Sequence, residues 1–410
     1  MSKQDFDVIV IGARCAGSPT AMLLARKGYS VLLVDRATFP SDTLSTHVIH
    51  PHGVATLGRW GLLDRLVGSG CPQIHTYSFN FGPLAITGCP GTADAPVAYC
   101  PRRTVLDEIL VDAAVAAGAE LREGFAVDEV LVSDGNVTGI RGHTKNGPSV
   151  TATAPLVIGA DGRHSLVAKT ACPDIYNERP ALQAGYYAYW SGLPMGGRFE
   201  THIGDRRGFA AADTNDGLTM VVGGWPIALF EANKQDHERH YMALFDQTPA
   251  FRDRLNGARR ESKVFGAATP NFFRKPFGPG WALVGDAGYI KDPITAQGIV
   301  DAFRDAELLA IAADAWRSGA CSYKAAMTEY QSKRDTQALP MFGFTCQVAS
   351  LEPPPPGLLE LLGAVHGNQE AMDQFCRVNA GIISPPEFFA ESNVSRIFGA
   401  AQARRAAIHP

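Results

Sequence analysis

The stretch DFDVIVIGARCAGSPTAMLLARKGYSVLLVDR, residues 5–36, decides the fold. Residues 8–11 form a short continuous apolar run of β-branched side chains, which is typical of a parallel strand covered on both faces. The small and apolar residues of 16–26 predict a closely packed helix, and residues 31–34 predict a second strand that ends at Asp35. The stretch is therefore predicted to form a βαβ unit of about 30 residues.

The composition is that of a globular protein with no general attraction for nucleic acid. The 410 residues are 46% hydrophobic and 19% charged, and 37 basic against 41 acidic side chains give a formal net charge of −4. At roughly 150 residues per domain, the chain allows two or three domains and can enclose a large cofactor. No apolar run approaches the roughly 20 residues that a membrane helix needs. We therefore expect neither a membrane span nor a nucleic-acid partner.

The cysteines and the first apolar run indicate a reducing compartment. The eight cysteines are scattered and include no C-x-x-C pair, so a zinc, haem or thioredoxin-type centre is not predicted. The first apolar run follows the acidic residues Asp5 and Asp7, which is the wrong order for a secretory signal. We expect a cytoplasmic protein whose thiols are reduced.

Two kinds of segment alternate along the rest of the chain. Residues 103–117 predict a helix, residues 156–162 and 280–288 each predict a buried strand that ends in a turn, and residues 298–316 predict a long amphipathic helix. Strand-like segments rich in glycine, proline and aromatic residues separate them. The predicted fold class is α/β (α+β), a Rossmann-like domain with an inserted antiparallel β-sheet domain and a helical C-terminal region. The predicted boundaries are 1–72, 101–174 and 276–320 for the discontinuous nucleotide-binding domain, 73–100 and 175–275 for the β-sheet domain, and 321–410 for the helical region.

The turn after the first strand carries a dinucleotide fingerprint. Gly12 allows the tight turn, Gly17 allows close packing of helix on strand, and the helix N-terminus offers free N–H groups to a pyrophosphate. Asp35 lies 18 residues after Gly17, where a carboxylate can accept hydrogen bonds from a ribose. The usual middle glycine is replaced by Arg14, whose guanidinium could pair with a phosphate or with a neighbouring carboxylate.

Two more motifs place carboxylates at strand ends. The sequence Gly-Ala-Asp-Gly around Asp161 ends one predicted buried strand, and Gly-Asp-Ala around Asp286 ends another. Such carboxylates lie in the crevice where α/β sheets bind ligands. The helix predicted to begin at Gly298 can direct its positive N-terminal end at the same crevice.

These three motifs, in this order, resemble those of the p-hydroxybenzoate hydroxylase-like FAD-dependent monooxygenases. The resemblance covers roughly residues 5–320 and implies that FAD is the cofactor. It implies that Asp286 accepts a hydrogen bond from a ribityl hydroxyl and that the helix at Gly298 meets the flavin ring. The full set of cofactor-binding residues that it implies is Gly12, Arg14, Cys15, Ala16, Gly17, Asp35, Arg36, Arg103, Val127, Asp161, Asp286, Gly298 and Ile299.

Catalytic residues are not identified, but four pocket candidates are. Three histidines fall within residues 47–52, which in the family lie beside the flavin ring and the substrate. His47 or His50 could carry a proton near pH 7 or steady a phenolate, although solvated or backbone-bonded loop histidines are the alternative. Their spacing is a poor match to a metal site, so no metal is predicted. Tyr187 and Pro293 complete the candidates, and Tyr187 could instead be a core aromatic residue of the sheet.

Some reactive or charged residues are expected to be structural. Cys15 is expected to fill the tight turn, because no second cysteine lies near it in the sequence. Asp301, Arg304, Asp305 and Glu307 are expected to form surface or interdomain ion pairs. The helical tail after Tyr330 is expected to cover the substrate domain or a partner subunit, such as a second copy in a homodimer.

The resemblance implies a monooxygenase, either a hydroxylase or an epoxidase. NAD(P)H would reduce the flavin, O2 would add to form a C4a-hydroperoxide, and an aromatic or polyketide-like small molecule would receive one oxygen atom. No second strand, G-x-G-x-x-G turn and helix occurs downstream, so NAD(P)H is expected to bind transiently.

Three alternatives stay open. One is an FAD-dependent reductase of a C=C bond, similar to geranylgeranyl reductases. These carry a Y-x-W-x-F-P motif, and the sequence YAYWSGLP at residues 187–194 is close to that motif but does not match it. Another is a flavin halogenase, which is disfavoured because no lysine occurs between Lys27 and Lys145. The last is a non-enzymatic protein similar to Rab GDP-dissociation inhibitors, which share the broad fold without using FAD.

Overall fold

The computed structural model describes residues 3–408. Within them the chain forms twenty-three β-strands and fourteen α-helices, joined by turns and short 3-10 segments. The strands are β1 (Lys3–Asp5), β2 (Val8–Ile11), β3 (Val31–Val34), β4 (Gln73–Ile74), β5 (Thr76–Phe81), β6 (Leu84–Gly88), β7 (Ala98–Tyr99), β8 (Glu120–Arg122), β9 (Phe125–Ser133), β10 (Asn136–Thr144), β11 (Val150–Thr153), β12 (Leu156–Gly159), β13 (Ile175–Arg179), β14 (Gln183–Ser191), β15 (Arg198–Gly204), β16 (Arg207–Asp213), β17 (Leu218–Pro226), β18 (Arg259–Arg260), β19 (Phe265–Ala268), β20 (Asn271–Arg274), β21 (Phe277–Gly278), β22 (Trp281–Leu283) and β23 (Tyr289–Ile290).

The helices alternate with these strands in the first 320 residues and then follow one another without strands. They are α1 (Gly17–Ala25), α2 (Pro51–Trp60), α3 (Leu63–Gly68), α4 (Arg103–Ala116), α5 (Leu166–Ala171), α6 (Phe230–Asn233), α7 (His237–Ala243), α8 (Pro249–Asn256), α9 (Gly298–Arg317), α10 (Tyr323–Ala349), α11 (Pro356–Val365), α12 (Gln369–Asn379), α13 (Pro385–Phe388) and α14 (Glu391–Ile408). The prediction of a helical C-terminal region is confirmed.

A six-stranded sheet forms the centre of the nucleotide-binding half. Its strand order is β21-β22-β12-β2-β3-β8, and every pair from β22 to β8 is parallel. The four residues of β2 and the four of β3 are all buried, as expected for strands that helices cover on both faces. The three strands that end in the motifs around Gly12, Asp161 and Asp286 are adjacent in this sheet. Their carboxyl ends therefore share one edge, and the predicted Rossmann-like fold is confirmed.

The large sheet of the molecule has eight strands and two differently covered faces. Its order is β18-β14-β17-β16-β15-β5-β6, with β19 also paired to β14. The sheet is antiparallel, as expected, except that β15 and β5 run parallel. Because side chains alternate along a strand, Tyr187 and Tyr189 of β14 belong to one hydrophobic cluster while Tyr186 and Trp190 belong to another.

The two faces of this sheet are covered by different parts of the chain. Helices α7 and α8 cover the face that carries Tyr186, and buried residues of α11 to α14 pack in the cluster of Tyr187 and Tyr189. We call the latter the inner face. The helical tail therefore covers the sheet of its own chain. No helix of residues 3–408 is long and apolar enough to cross a membrane.

Candidate active site

The turn between β2 and α1 cannot accept side chains at its two glycines. Gly12 has a φ of +102°, and a Cβ there would lie 2.4 Å from the carbonyl oxygen of Ala160. A Cβ on Gly17 would lie 1.7 Å from the carbonyl oxygen of Gly12. Ala16, the N-cap of α1, provides no side-chain cap. The N–H of Ser18 donates to the carbonyl oxygen of Arg14 at 3.0 Å and Pro19 has no N–H, so an anion would be held by the turn that precedes them. This cradle fits a pyrophosphate.

Arg14 pairs with a carboxylate, which was one of its two predicted partners. Its Nη1 lies 2.6 Å from Oδ2 of Asp107 on α4, and its Nη2 donates to Oγ of Ser41 at 3.0 Å. The guanidinium also lies over the ring of Phe39, 5.4 Å from its centroid. The side chain is thereby folded against the loop after β3.

Asp107 joins the phosphate turn to the start of α4. It is fully buried, and it accepts hydrogen bonds from Arg103 Nη2 at 2.8 Å and from the Cys15 thiol at 3.4 Å, besides that of Arg14. Burial, the largest cause, raises the pKa of Cys15 well above its usual range. The thiol is therefore protonated and unreactive, which agrees with the expected structural role of this cysteine.

The other predicted adenosine contacts lie near the same edge. The carboxylate of Asp35 accepts hydrogen bonds from the backbone N–H groups of Ala13 at 2.7 Å and Ala37 at 2.8 Å. Each oxygen is used once, which leaves a lone pair on each for ribose hydroxyls. Arg36 is exposed, and Val127 lies in β9 with its side chain partly buried. Their roles at the cofactor stay predictions.

Asp161 has a buried carboxylate oxygen without a partner. Its Oδ2 accepts the N–H of Leu166 at 2.6 Å, but its Oδ1 is buried and has no hydrogen-bond partner among residues 3–408. Burial raises the pKa of this carboxyl group. An unpaired buried oxygen costs about 1–3 kcal/mol, so a ligand donor at this point would stabilise the site. A ribose or ribityl hydroxyl of FAD fits that requirement.

Asp286 is an exposed residue in an otherwise buried segment. All the other residues of 281–290 are buried, whereas Asp286 is exposed at the end of β22. Although its side chain has open space beside it, burial raises its pKa to about 6, against the opposing charges of Lys291 and Arg103. The carboxylate is therefore accessible at the carboxyl end of β22, where it would accept a hydrogen bond from a ribityl hydroxyl.

Helix α9 packs against the turn that carries Asp286. A Cβ added to Gly298 would meet no atom within 4 Å, so open space lies in front of the first turn. The side chain of the N-cap residue Gln297 donates to the carbonyl oxygen of Asn379 and does not cap the helix. The N–H groups of Gly298 and Ile299 are therefore available to a flavin ring, and the helix dipole favours negative charge there.

Replacing Asp286 with Asn should separate cofactor binding from apoprotein stability. The raised pKa means that the folded apoprotein holds this proton up to about pH 6, whereas the unfolded chain releases it near pH 4. The group thus lowers wild-type stability as the pH rises through this window. Asp286→Asn removes this pH-dependent loss of stability, but it also removes the charged acceptor for the ribityl hydroxyl.

We expect the melting temperature of apo Asp286→Asn, relative to apo wild type, to increase from pH 4 to pH 6 and then stay constant. FAD affinity should fall at the same time, by about tenfold for one lost charged hydrogen bond. Thermal unfolding across pH and fluorescence titration with FAD measure the two effects. Glu108→Gln, an exposed position on α4, controls for the loss of one negative charge. A pH-independent difference, or unchanged FAD affinity, would contradict the assignment of Asp286.

His50 has a structural role rather than that of a proton carrier, because both of its ring nitrogens are hydrogen-bonded within the protein. It is 1% exposed, its Nε2 lies 3.1 Å from the carbonyl oxygen of Thr295, and its Nδ1 lies 2.7 Å from Oη of Tyr77. A carbonyl only accepts, so Nε2 donates and Nδ1 accepts from the tyrosine. Burial lowers the pKa of His50 to about 3. The expectation of a proton carrier near pH 7 is wrong for this residue, because the loop is buried between α9 and the large sheet.

His47 is also buried, but one of its nitrogens is unpaired. Its Nε2 lies 2.7 Å from Oη of Tyr189, and its Nδ1 has no hydrogen-bond partner within residues 3–408. Burial, with the charges of Arg103 and Arg102, lowers its pKa to about 3, so the ring is neutral at pH 7. The expectation of a titrating proton carrier is wrong here too, and so is that of a solvated loop histidine.

Tyr187 and Pro293 lie at opposite sides of this region. Tyr187 projects from the inner face of the large sheet, stacks on Phe265 at 5.2 Å and meets His47 edge to face at 6.2 Å. Pro293 is exposed and starts the short 3-10 turn before α9. Their roles as pocket residues stay predictions.

Two buried carboxylates of this region were not among the predicted residues. Asp107 could have been found, because it lies one helical turn after Arg103 in the same helix. Asp292 accepts hydrogen bonds from the Gln183 side chain at 2.6 Å and from the N–H of Ile294 at 2.9 Å, and its Oδ2 has no partner in the described chain. Burial raises its pKa to about 6. Its contact with Gln183 spans 109 positions, which no local pattern indicates.

The charged residues on the first turns of α9 form a buried network. Lys291 pairs with Asp301, and Arg304 pairs with Asp301 at 2.8 Å and with Asp305 at 2.7 Å. Asp305 is fully buried. The predicted ion pairs exist. Asp305 is buried rather than at the surface, and α10 packs against α9, whereas Glu307 pairs with Arg59 at 3.0 Å with both side chains partly exposed.

A family described as the FAD binding domain matches residues 5–187. The digeranylgeranylglycerophospholipid reductase of Methanocella arvoryzae is 27% identical over 350 residues, which are 79% of this chain and 81% of the relative. Squalene epoxidase 3 of Arabidopsis thaliana is 23% identical over 317 residues, or 75% of this chain and 60% of the epoxidase. These matches and the site define an FAD-dependent oxidoreductase.

The comparison with solved structures concerns the fold. The myxobacterial chondrochloren halogenase CndH superposes with a TM-score of 0.79 at 22% identity, covering 98% of this chain and 97% of the halogenase. At that identity the superposition establishes a common fold. The family match identifies an FAD binding domain within residues 5–187 of this chain.

Proposed function

We propose that the protein is a monooxygenase that uses NAD(P)H and O2 to oxidise an aromatic or polyketide-like small molecule. The observation that carries the proposal is an aromatic wall on the inner face of the large sheet, next to Arg102 at the start of α4. It is formed by Tyr187, Tyr189 and the neutral ring of His47, and helices α11 to α14 fill the inner face of the sheet beyond it. Such a wall suits a compact oxygenated ring better than a long aliphatic chain.

The chain's own residues would bind and orient the reactants. The turn at Gly12 and Gly17 would hold the pyrophosphate, and Asp286 would fix the ribityl chain. The chemistry that bound FAD would supply is acceptance of a hydride from NAD(P)H and transfer of electrons to O2, as a monooxygenase requires. The first turn of α9 would stabilise negative charge at the adjacent end of the flavin. The buried aromatic wall would exclude water from the substrate.

The test is to identify the atoms that the product gains. Purified holoenzyme is given NADH or NADPH, oxygen-18 gas and a panel of phenols and hydroxylated polyketides, and products are analysed by mass spectrometry. We expect oxygen consumption that depends on substrate, and a product heavier by one oxygen-18 atom. Products that gain no oxygen, or only oxygen from water, would overturn the proposal.

A second candidate is the reduction of a C=C bond. The similarity to the Methanocella reductase, over 79% of this chain, favours it. The same assay separates the two reactions, because a reductase makes a product heavier by two hydrogen atoms and works without oxygen. Including bromide in one arm also detects halogenation, although no lysine lies between Lys27 and Lys145.

A further inference from the structure

Lys291 places a positive charge beside the first turn of α9. It lies between β23 and the 3-10 turn that precedes the helix, and it is 8% exposed. Its ammonium group pairs with the carboxylate of Asp301, the fourth residue of α9, and lies over the ring of Tyr289, 5.1 Å from the ring centroid. Separating a buried pair leaves uncompensated charge, so the pair fixes the position of the ammonium group.

Asp301 is ionised although it is largely buried. It also accepts a hydrogen bond from Nη1 of Arg304 at 2.8 Å, and Arg304 in turn donates to Asp305 at 2.7 Å. Burial acts to raise the pKa of Asp301, but the charges of Lys291 and Arg304 outweigh it and lower the pKa to about 2. At pH 7 this part of the site therefore holds two cations and two carboxylates in contact.

The ammonium group of Lys291 also adjoins both predicted contacts of the flavin. Burial raises the pKa of Asp286, and among the charges that oppose this effect that of Lys291 acts most strongly. Asp301, its ion-pair partner, lies within one turn of Gly298, where the helix is expected to meet the flavin ring. The lysine thus lies near the expected ribityl contact and near the expected ring contact.

We propose that the ammonium group of Lys291 stabilises the reduced form of bound FAD, and that Asp301 offsets part of its charge. When NAD(P)H transfers a hydride to FAD, NAD(P)H is oxidised and the flavin gains two electrons and one proton, which leaves one negative charge on the ring. A nearby cation lowers the free energy of this anion more than that of oxidised FAD. The same effect would serve a monooxygenase and a C=C reductase.

The test compares how tightly each variant binds reduced and oxidised FAD. Purified holoenzyme is reduced stepwise without oxygen in the presence of a dye of known potential. The midpoint potential, relative to that of free FAD, gives the ratio of the two affinities. We expect Lys291→Met to lower the preference for reduced FAD about tenfold, which is the effect of one charge at roughly 12 Å and an effective dielectric constant of about 20.

Asp301→Asn makes the opposite change of charge. It leaves both Lys291 and Arg304 in place, so the preference for reduced FAD should rise, by at least about threefold. Each variant removes one partner of a buried pair, and each is expected to lose stability. A purely structural role predicts no such opposition, because damage to the fold has no reason to follow the sign of the removed charge.

A second lysine pair on the same helix provides the matched control. Lys27 pairs with Asp314 at 2.6 Å, with both side chains partly exposed, in the last turns of α9. Lys27→Met should therefore leave the preference for reduced FAD within about twofold of wild type. Lys291→Arg keeps the charge and should do the same. If Lys291→Met does not fold or retains no FAD, Lys291→Arg and Asp301→Asn decide the result.

Two outcomes would overturn the proposal. One is an unchanged preference in Lys291→Met or, where that variant is lost, in Asp301→Asn. The other is a change of the same sign in Lys291→Met and Asp301→Asn, which would mean that the pair only supports the fold. The titration needs neither substrate nor oxygen, so its failure is distinct from failure of the monooxygenase assay.

Discussion

Gly17→Ala should yield a protein that purifies without yellow colour. The added Cβ would lie 1.7 Å from the carbonyl oxygen of Gly12, a distance that no side-chain rotation can relieve. The turn must then open, and FAD loses the N–H groups that hold its pyrophosphate. We expect FAD affinity to fall by at least about 100-fold, equivalent to roughly 3 kcal/mol, and stability to fall by about 1–3 kcal/mol or more. Flavin absorbance of the purified protein and FAD titration measure these effects.

The control for this variant is Gly58→Ala in α2. A Cβ there would lie 3.8 Å from a side-chain carbon of Leu63, which is ordinary contact. The position is exposed within a helix, so alanine should stabilise the protein by about 0.5–1 kcal/mol and leave FAD in place. Full FAD occupancy in Gly17→Ala would show that the turn is not the pyrophosphate site.

Asp107→Asn should strongly lower the free energy of unfolding. The change leaves Arg103, which is 8% exposed, and Arg14 without their common buried counter-charge. Removal of one partner from a buried ion pair typically costs about 3–5 kcal/mol. We expect a loss of that size in the free energy of unfolding, measured by chemical denaturation, together with weaker FAD binding because both arginines adjoin the phosphate turn.

A matched pair on the same helix provides the comparison. Asp112 pairs with Arg65 at 2.6 Å, but both side chains are about half exposed. Asp112→Asn should therefore cost less than about 1 kcal/mol. If Asp107→Asn and Asp112→Asn lose equal amounts of unfolding free energy, the buried cluster of Arg14, Arg103 and Asp107 has no special role at the cofactor edge.

The features that could be predicted from the sequence are local. The strands at 8–11, 31–34 and 156–159 are short apolar runs with strong β propensity, and the carboxylates of Asp161 and Asp286 follow such runs directly. Because parallel strands align their carboxyl ends, the common edge follows from the pattern alone.

The features that could not be predicted depend on contacts between distant positions. Arg14 meets Asp107 across 93 positions, and His47 meets Tyr189 across 142. His47 and His50 were considered as proton carriers near pH 7. Burial lowers the pKa of both, and this burial depends on packing against distant residues that the local sequence does not indicate. The same limit applies to Asp305, whose burial depends on α10.

The order of strands in the six-stranded sheet has a consequence for synthesis of the chain. Strand β12 lies between β2 and β22 in the sheet. Strand β22, residues 281–283, follows β12 by more than 120 positions in the sequence. On the ribosome the nucleotide-binding half stays incomplete until most of the chain has emerged. Its contact order is high, so we expect slow folding, with exposed strand edges that need protection by chaperones during translation.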